Sequence, residues 1–218
     1  MEIAMVPLHK INLEPETIID AIERRVSTNH YDTDASIDDA MLCELVRLAT
    51  LAPTAFNLQN WRFIAVRSLT AKELLWEASG RQDKIKAAAA TFIVCGRNPK
   101  TIDLQRILRL SVTAGFMPET VALGWVDAVH HMYGNDPQMQ RDEAIRSATF
   151  GAANLMYAAA GYGLATGAMV GFDPIAVSRD FGLAGDEVPV LLMTVGKATA
   201  NNWPQKPRCD LREVLEFA

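Results

Sequence analysis

The sequence has little of several features that mark particular classes of protein. Its three cysteines, Cys43, Cys95 and Cys209, are far apart and form no CxxC pair, so neither a disulfide framework nor a thiolate metal site is expected. A net charge of -5, with scattered lysines and arginines, provides no positive field for a nucleic-acid backbone. No apolar run is long enough for a membrane span, and the first residues lack a signal-peptide pattern. We therefore expect a soluble, cytoplasmic protein without nucleic-acid or membrane partners.

The length and composition suit one large domain. The chain has 218 residues, 50% of them hydrophobic, which is enough for a substantial core but short for two domains. It contains no repeat and no linker rich in glycine, proline or serine. We expect a single domain over residues 1–218.

The first part of the chain predicts two amphipathic helices around a polar loop. One helix is expected after Pro15, and a second after Ser36, which resembles a capping box with Asp39. The loop between them covers residues 27–35. The second helix must end near Pro53, which places residues 54–60 on a loop before the strand-like WRFIAV.

The rest of the chain mixes helices with buried strands. TFIVCG, ending at Gly96, and VPVLLMTVG have the apolar, β-branched composition of central strands. Residues 102–131 and 141–162 are predicted to be helical, and the second helix is so rich in alanine that it should be buried in a core or a subunit interface. Asp173 and Pro174 have the pattern of a helix start. This order predicts an α+β fold with helices on both faces of a sheet.

Three polar stretches could form a binding site. Arg25-Val26-Ser27-Thr28-Asn29 offers a guanidinium, a hydroxyl and an amide, and Lys206-Pro207-Arg208 places two cations on one face of an extended chain. The loop from Pro53 to Trp61 combines small residues with amides that could bind the edge of a planar ring. Each stretch alone is more typical of a solvated helix end, turn or tail than of a binding site.

Together these stretches resemble the nitroreductase family. Its pattern is an Arg-x-Ser loop after the first helix, an Ala-Pro-Ser-x-x-Asn-x-Gln-x-Trp loop and a late basic pair, in this order and spacing. The resemblance continues through Asn154-Leu155-Met156, Gly171-Phe172-Asp173 and Val195-Gly196, and is weakest over residues 100–140.

The resemblance implies a three-layer α/β/α fold with a mixed, mainly antiparallel sheet, in an intertwined homodimer that binds FMN and uses NAD(P)H. The matching positions imply that Arg25, Lys206 and Arg208 neutralise the phosphate, and that Ser27 bonds the phosphate or the ribityl chain. Further matching positions lie around the flavin ring. Gln82, Asn29 and the backbone of Val170 and Gly171 would come from one subunit. Thr54, Ala55 and Asn57 would come from the second subunit. The flavin carries the chemistry, so no catalytic side chain is expected.

Several positions depart from the family pattern. The family often has a cation at Asn29, serine at Thr54, proline at Asn60 and an acidic residue at Val170. A cation near the flavin ring stabilises the negative charge of the reduced flavin, so Lys84 or Lys86 would have to replace the one absent at Asn29.

Other interpretations remain open at this point. The implied reaction is two-electron reduction of nitroaromatics, quinones or flavins; alternatives are dehalogenation, dehydrogenation, flavin fragmentation, or flavin binding without turnover.

One of Phe116, Met117, Trp125 and Tyr133 could line the acceptor pocket, although core packing explains each equally well. His130 and His131 point to different sides of a helix and predict no metal site. The run GYGLATG is interpreted as a helix end and not as a dinucleotide motif.

Overall fold

The computed structural model describes residues 18–218, in which helices alternate with four β-strands. The helices are α1 (Ile18–Arg24), α2 (Asp39–Ala49), α3 (Leu69–Ala78), α4 (Lys84–Ala87), α5 (Leu104–Thr113), α6 (Glu119–Tyr133), α7 (Pro137–Gly161) and α8 (Pro174–Asp180). The strands are β1 (Trp61–Val66), β2 (Ala90–Arg97), β3 (Ala165–Met169) and β4 (Glu187–Gly196). Short 3-10 turns cover Ala55–Asn57, Pro99–Thr101 and Leu211–Glu213. Pro15, where the sequence predicts the first helix to open, lies outside the described residues.

The four strands form one antiparallel sheet in the order β1-β2-β4-β3. The two central strands pair from Ala90 opposite Val195 to Arg97 opposite Glu187. Their β-branched and aromatic residues suit strands that are covered on both faces. Every residue of β2 except Arg97 is buried. The interpretation of TFIVCG and VPVLLMTVG as central strands is therefore confirmed.

Helices cover both faces of the sheet. Phe92 and Met193 pack against α2 and α7 on one face, while Ile93 and Leu192 pack against α3, α4 and α8 on the other. Adjacent strand residues thus enter opposite cores, as the two-residue repeat of a strand requires. The result is the three-layer α/β/α arrangement expected for this sequence.

The 25-residue helix α7 lies close against the sheet because small residues line its buried face. A Cβ on Gly96 of β2 would overlap the backbone carbonyl of Ala144, and one on Gly151 of α7 would approach the Phe63 ring to 3.0 Å. The alanine-rich composition of this helix is therefore explained by core packing. Within residues 18–218, no helix combines the length and apolar composition needed to cross a bilayer.

The region from residue 102 to residue 131 is not one continuous helix, as the sequence suggested, but the helical hairpin α5–α6. Gly115 has a positive φ of 74° and Pro118 is the N-cap of α6, so the chain turns between them. The hairpin packs over fully buried Leu58 in a third apolar cluster. It therefore lies against the loop that precedes β1.

Two helix starts differ from the sequence-based expectation. α2 is capped by Asp38, whose carboxylate accepts from the Met41 amide at 2.8 Å, and not by Ser36. α7 begins at Pro137 behind the N-cap Asp136, earlier than the predicted residue 141. An acidic residue followed by proline opens α8 in the same way, which confirms the prediction made for Asp173.

Candidate functional site

The loop from Arg25 to Asp32 is attached to the edge of the sheet by hydrogen bonds. The Thr28 amide donates to the Thr166 carbonyl of β3 at 3.0 Å, and the Asp32 amide donates to the Lys197 carbonyl at 2.8 Å. Between them, the buried Tyr31 hydroxyl lies 2.8 Å from the Thr194 hydroxyl on β4. The loop therefore has a fixed position although it contains no regular secondary structure.

Two glycines make room for the Tyr31 side chain. A Cβ on Gly196 would lie 2.8 Å from the tyrosine ring, and one on Gly167 would lie 2.8 Å from the Thr194 hydroxyl that Tyr31 contacts. Burial raises the pKa of the Tyr31 phenol well above its ordinary value. Tyr31 is thus a neutral, buried anchor of the loop.

Beside this anchored loop lies an open cavity of about 590 Å³. It is formed by the loop after α1, the segment before and within α4, and the chain after β4. Its lining residues are Asn29, His30, Tyr31, Gln82, Asp83, Lys84, Ala87, Thr199 and Asn201. Two residues that the sequence singled out separately, Asn29 and Gln82, are therefore brought to one cavity.

Lys84 supplies a cation to this cavity. Its half-buried ammonium donates to the Asn29 amide oxygen at 3.3 Å. Partial burial, and secondarily the positive charge of Lys206, lower the pKa of Lys84. Lys86 is directed elsewhere, because its ammonium lies 3.3 Å from the centre of the Trp76 ring and 2.7 Å from Glu73. Of the two lysines that could replace a cation at Asn29, only Lys84 is placed to do so.

A smaller recess of about 90 Å³ collects the other predicted cations. Arg25, Ser27, Lys206 and Arg208 line it together with the segment from Trp203 to Gln205. The Gln205 amide oxygen accepts from Arg25 at 3.4 Å and from Arg208 at 3.1 Å, so one neutral side chain bridges two guanidinium groups. Over the described part of the chain, no carboxylate forms an ion pair with Arg25, Lys84, Lys206 or Arg208. The recess therefore has an uncompensated positive charge.

The amide of Gln82 is oriented by the backbone on the other side of the cavity. Its nitrogen donates to the Gly171 carbonyl at 2.8 Å and to the Ser79 carbonyl at 3.1 Å. The amide oxygen is left to accept from a ligand. A Cβ on Gly171 would meet only this amide, at an ordinary 3.6 Å, so packing within the chain does not itself require glycine there. Val170 is 76% exposed beside it.

The third predicted stretch is not part of either cavity lining. Thr54, Ala55 and Asn57 form a tight turn against the α5–α6 hairpin, in which the Thr54 hydroxyl accepts from the Gln59 amide at 3.0 Å. Phe56 and Asn57 have positive φ angles of 50° and 56°, a conformation that asparagine tolerates but that is unfavourable for phenylalanine. Phe56 is held by an edge contact with the Trp125 ring at 5.9 Å. The turn is thus held in one conformation against the hairpin.

The predicted pocket aromatics have different environments. Tyr133 is buried and donates to the buried Glu143 carboxylate at 3.1 Å, and Trp125 packs on Phe56, so both belong to the core. Phe116 is 86% exposed at the tip of the α5–α6 hairpin and remains a candidate for the acceptor pocket. His130 and His131 are exposed, and no cluster suited to a metal ion occurs among residues 18–218.

The donor set fits a ligand with a dianionic phosphate at one end and a planar, hydrogen-bonding ring at the other. Three cations and the Ser27 hydroxyl surround the small recess, while the amides of Asn29 and Gln82 and the Lys84 ammonium face the large cavity. These are the groups that FMN requires. The sequence did not reveal that Tyr31 anchors this loop, because its partner Thr194 lies far along the chain and has no local pattern.

Comparison with known proteins gives a consistent result. A family model described as the nitroreductase family matches residues 22–197. YodC of Bacillus subtilis, a provisionally named NAD(P)H nitroreductase, is 30% identical over 180 residues, which are 83% of this chain and 89% of YodC. Protein DrgA of Synechocystis is 34% identical over 181 residues, which are 83% of each chain.

Solved structures are similar over almost the whole chain. A provisionally named nitroreductase of Exiguobacterium sibiricum, solved in complex with FMN, has a TM-score of 0.86 at 27% identity and covers 93% of this chain and 98% of its own. The Bacillus subtilis protein ydfN, also provisionally named a nitroreductase, has a TM-score of 0.86 at 29% identity and covers 92% and 98%.

Proposed function

The chain belongs to the nitroreductase family of FMN-dependent NAD(P)H oxidoreductases, and on that premise we propose that it transfers electrons from NAD(P)H to nitroaromatic, quinone or flavin-like acceptors. One observation carries the assignment of the site. Arg25, Lys206 and Arg208 converge, with no ion-paired carboxylate among residues 18–218, next to a cavity edged by the oriented amide of Gln82. Uncompensated cations beside a polar cavity favour an anionic, planar ligand.

In the proposed complex, the three cations neutralise the FMN phosphate, and Ser27 donates to the phosphate or the ribityl chain. The guanidinium groups suit this role because they bind phosphate oxygens in a bidentate manner. Gln205 already holds Arg25 and Arg208 side by side. The phosphate would therefore meet cations that need little rearrangement.

The ring end would lie between Asn29, Gln82 and the backbone at Val170 and Gly171. The free oxygen of the Gln82 amide is suited to accept from an N–H of the pyrimidine edge. Lys84 takes the place of the family cation that is absent at Asn29, and Asn29 orients its ammonium. When bound, FMN accepts hydride and passes electrons on; the residues named here hold it and stabilise negative charge. No side chain is required as an acid or a base.

We further propose that the site is completed by a second copy of the chain. Thr54, Ala55 and Asn57 match the ring-binding loop of the family but lie outside both cavity linings of their own chain. Ile18 and Ile19 on α1 are 60% and 64% exposed, and the chain after residue 202 exposes further large apolar side chains. A homodimer would cover these surfaces and bring the Thr54 turn to the other chain's flavin. We also propose that residues 1–218 form one domain and that the protein is located in the cytoplasm.

The large cavity suggests that donor and acceptor use the same place over the ring. If both bind in this cavity, which the ring-binding groups Asn29, Gln82 and Lys84 line, NAD(P)H would have to leave before the acceptor enters. This predicts ping-pong kinetics, with parallel lines in double-reciprocal plots and competition of excess acceptor against NAD(P)H. Intersecting lines would reject the shared pocket.

The proposed function is tested by an absorbance spectrum of the purified protein followed by anaerobic titration with NADH and NADPH. A bound flavin that is bleached by either nucleotide and recoloured by a quinone or a nitroaromatic is the expected result. A protein that binds no FMN would refute the cofactor assignment. A flavin that neither nucleotide bleaches would favour a different redox reaction on the same fold, such as dehalogenation or dehydrogenation.

A further inference from the structure

A single amide side chain, Asn202, connects the two halves of the proposed site. Its oxygen accepts from the backbone amides of Asn29 at 2.8 Å and His30 at 3.0 Å. Its nitrogen donates to the carbonyls of His30 at 2.8 Å and Thr199 at 3.0 Å. All four hydrogen-bonding positions of the amide are therefore used, three of them on a loop more than 170 positions earlier in the chain.

These bonds support the part of the loop that lies between its two attachments to the sheet. Thr28 and Asp32 are tied to the sheet on either side, but Asn29 and His30 between them meet the cavity. Among the described residues, the other bonds to the backbone of these two residues come from Thr199, whose amide and hydroxyl donate to the His30 carbonyl at 3.1 and 3.3 Å; the Asn29 and His30 amides donate to Asn202. Asn202 thus fixes the peptide from which the Asn29 side chain reaches Lys84.

We propose that Asn202 is a positioning residue for the flavin ring: it holds the Asn29–His30 peptide so that the Asn29 amide and the Lys84 ammonium are set before the cofactor binds. This inference rests on the proposed function and names a determinant of cofactor affinity outside the predicted ligand set. A loop ordered in advance loses less conformational freedom on binding.

The position of Asn202 also predicts which part of the cofactor is affected. Its bonds are made to the residues at the ring end of the site, while the phosphate recess is formed by Arg25, Ser27, Lys206 and Arg208. Loss of the Asn202 amide should therefore weaken riboflavin, which lacks the phosphate, by the same factor as FMN. Loss of Arg208 should weaken FMN and leave riboflavin unchanged. The ratio of the two affinities separates positioning of the ring from binding of the phosphate.

The test compares Asn202→Ala, Asn202→Asp, Arg208→Ala and the control Asn135→Ala, which removes an exposed asparagine from the turn between α6 and α7. Dissociation constants for FMN and riboflavin are measured by flavin fluorescence, and amide hydrogen exchange is measured on the full chain without flavin. Asn202→Ala should raise both dissociation constants about tenfold, the scale of one or two net hydrogen bonds. It should also speed exchange at Asn29 and His30.

Asn202→Asp keeps the accepting oxygen and should restore slow exchange at both amides. Asn135→Ala should change neither measurement. Unchanged flavin affinity in Asn202→Ala, or a loss confined to FMN, would overturn the proposal. If the unaltered protein bound no flavin, the proposed function itself would fail. The exchange data would then show only that Asn202 orders the loop, without any role in flavin binding. The two failures are therefore distinguishable.

Discussion

The segment from Leu211 to the last residue provides a quantitative test of the dimer. Four of its large side chains lie in solvent in the single chain: Leu211 is 72% exposed, Val214 70%, Leu215 52% and Phe217 89%. The segment is nevertheless ordered locally, because Asp210 and Glu213 form a reciprocal capping box around its 3-10 turn. An ordered segment that exposes apolar side chains is typical of one that packs on a partner.

The size of the effect follows from these exposures. Full burial of a valine, leucine or phenylalanine side chain contributes about 1.5–3 kcal/mol. Scaled to an average exposure near 70%, the four side chains contribute roughly 4–8 kcal/mol per chain if a partner covers them. A symmetric dimer contains two such segments, so the contribution to dimerisation is doubled. Even if ordering entropy and incomplete burial removed half of this, deletion of residues 211–218 would weaken dimerisation more than a thousandfold, since each 1.4 kcal/mol is a factor of ten.

Sedimentation equilibrium over nanomolar to micromolar concentrations measures the dimer dissociation constant directly. The matched control is Glu216→Ala, which changes the same segment without removing an apolar side chain. It should leave the dissociation constant within a few-fold of the unaltered protein. A truncated chain that still forms an equally tight dimer would refute the reasoning, as would a full-length chain that is monomeric with FMN bound.

Three further outcomes follow from single side chains. Arg208→Ala should weaken FMN binding by about 1.5 kcal/mol, the lower end for a bond to a charged group because the side chain is exposed, and this is measured by fluorescence titration. Lys84→Gln should lower the flavin midpoint potential by roughly 20–40 mV through the loss of one nearby charge, whereas Lys86→Gln should not change it in spectroelectrochemistry. Burial, with Glu143 adding to it, raises the pKa of Tyr133 to about 12, so the unfolded chain loses this proton first and stability falls from pH 10 to 12. In Tyr133→Phe, the free energy of unfolding measured by denaturant titration should therefore fall less between pH 10 and 12 than in the unaltered protein.

Local patterns predicted most of the fold because they are set by local physics. The apolar composition of β2 and β4 and the Asp173-Pro174 helix start needed no distant information. The failures have equally definite causes. The sequence did not predict strand β3 because its residues, ATGAM, are mostly small and lack the β-branched pattern of a strand. Packing explains this composition, since Gly167 must leave room for the Thr28 backbone and the Thr194 side chain. The break at Gly115 was missed although Gly115 and Pro118, the residues at which the chain turns, stand in the sequence.

The site was predictable only in part. The resemblance identified Arg25, Lys206 and Arg208, and the structure brings them to one recess. It could not decide between Lys84 and Lys86, which are two residues apart, because that choice depends on the competing contacts of Lys86 with Trp76 and Glu73. Nor could it point to Asn202, whose partners are backbone groups and therefore have no sequence signature.

The arrangement of the site links cofactor binding to assembly. If the Thr54 turn of one chain completes the ring site of the other, a single chain holds only the phosphate recess and one edge of the ring. FMN then binds the dimer more tightly than the single chain, and by linkage bound FMN must stabilise the dimer to the same extent. The left-handed backbone at Phe56 supports this view, since such strain is retained where the surrounding structure imposes it. Here the α5–α6 hairpin imposes it, through Trp125 on Phe56. The hairpin that carries the exposed Phe116 therefore also fixes the turn that would contact the second flavin. A change in the packing of the hairpin would then alter the binding of both the acceptor and the cofactor.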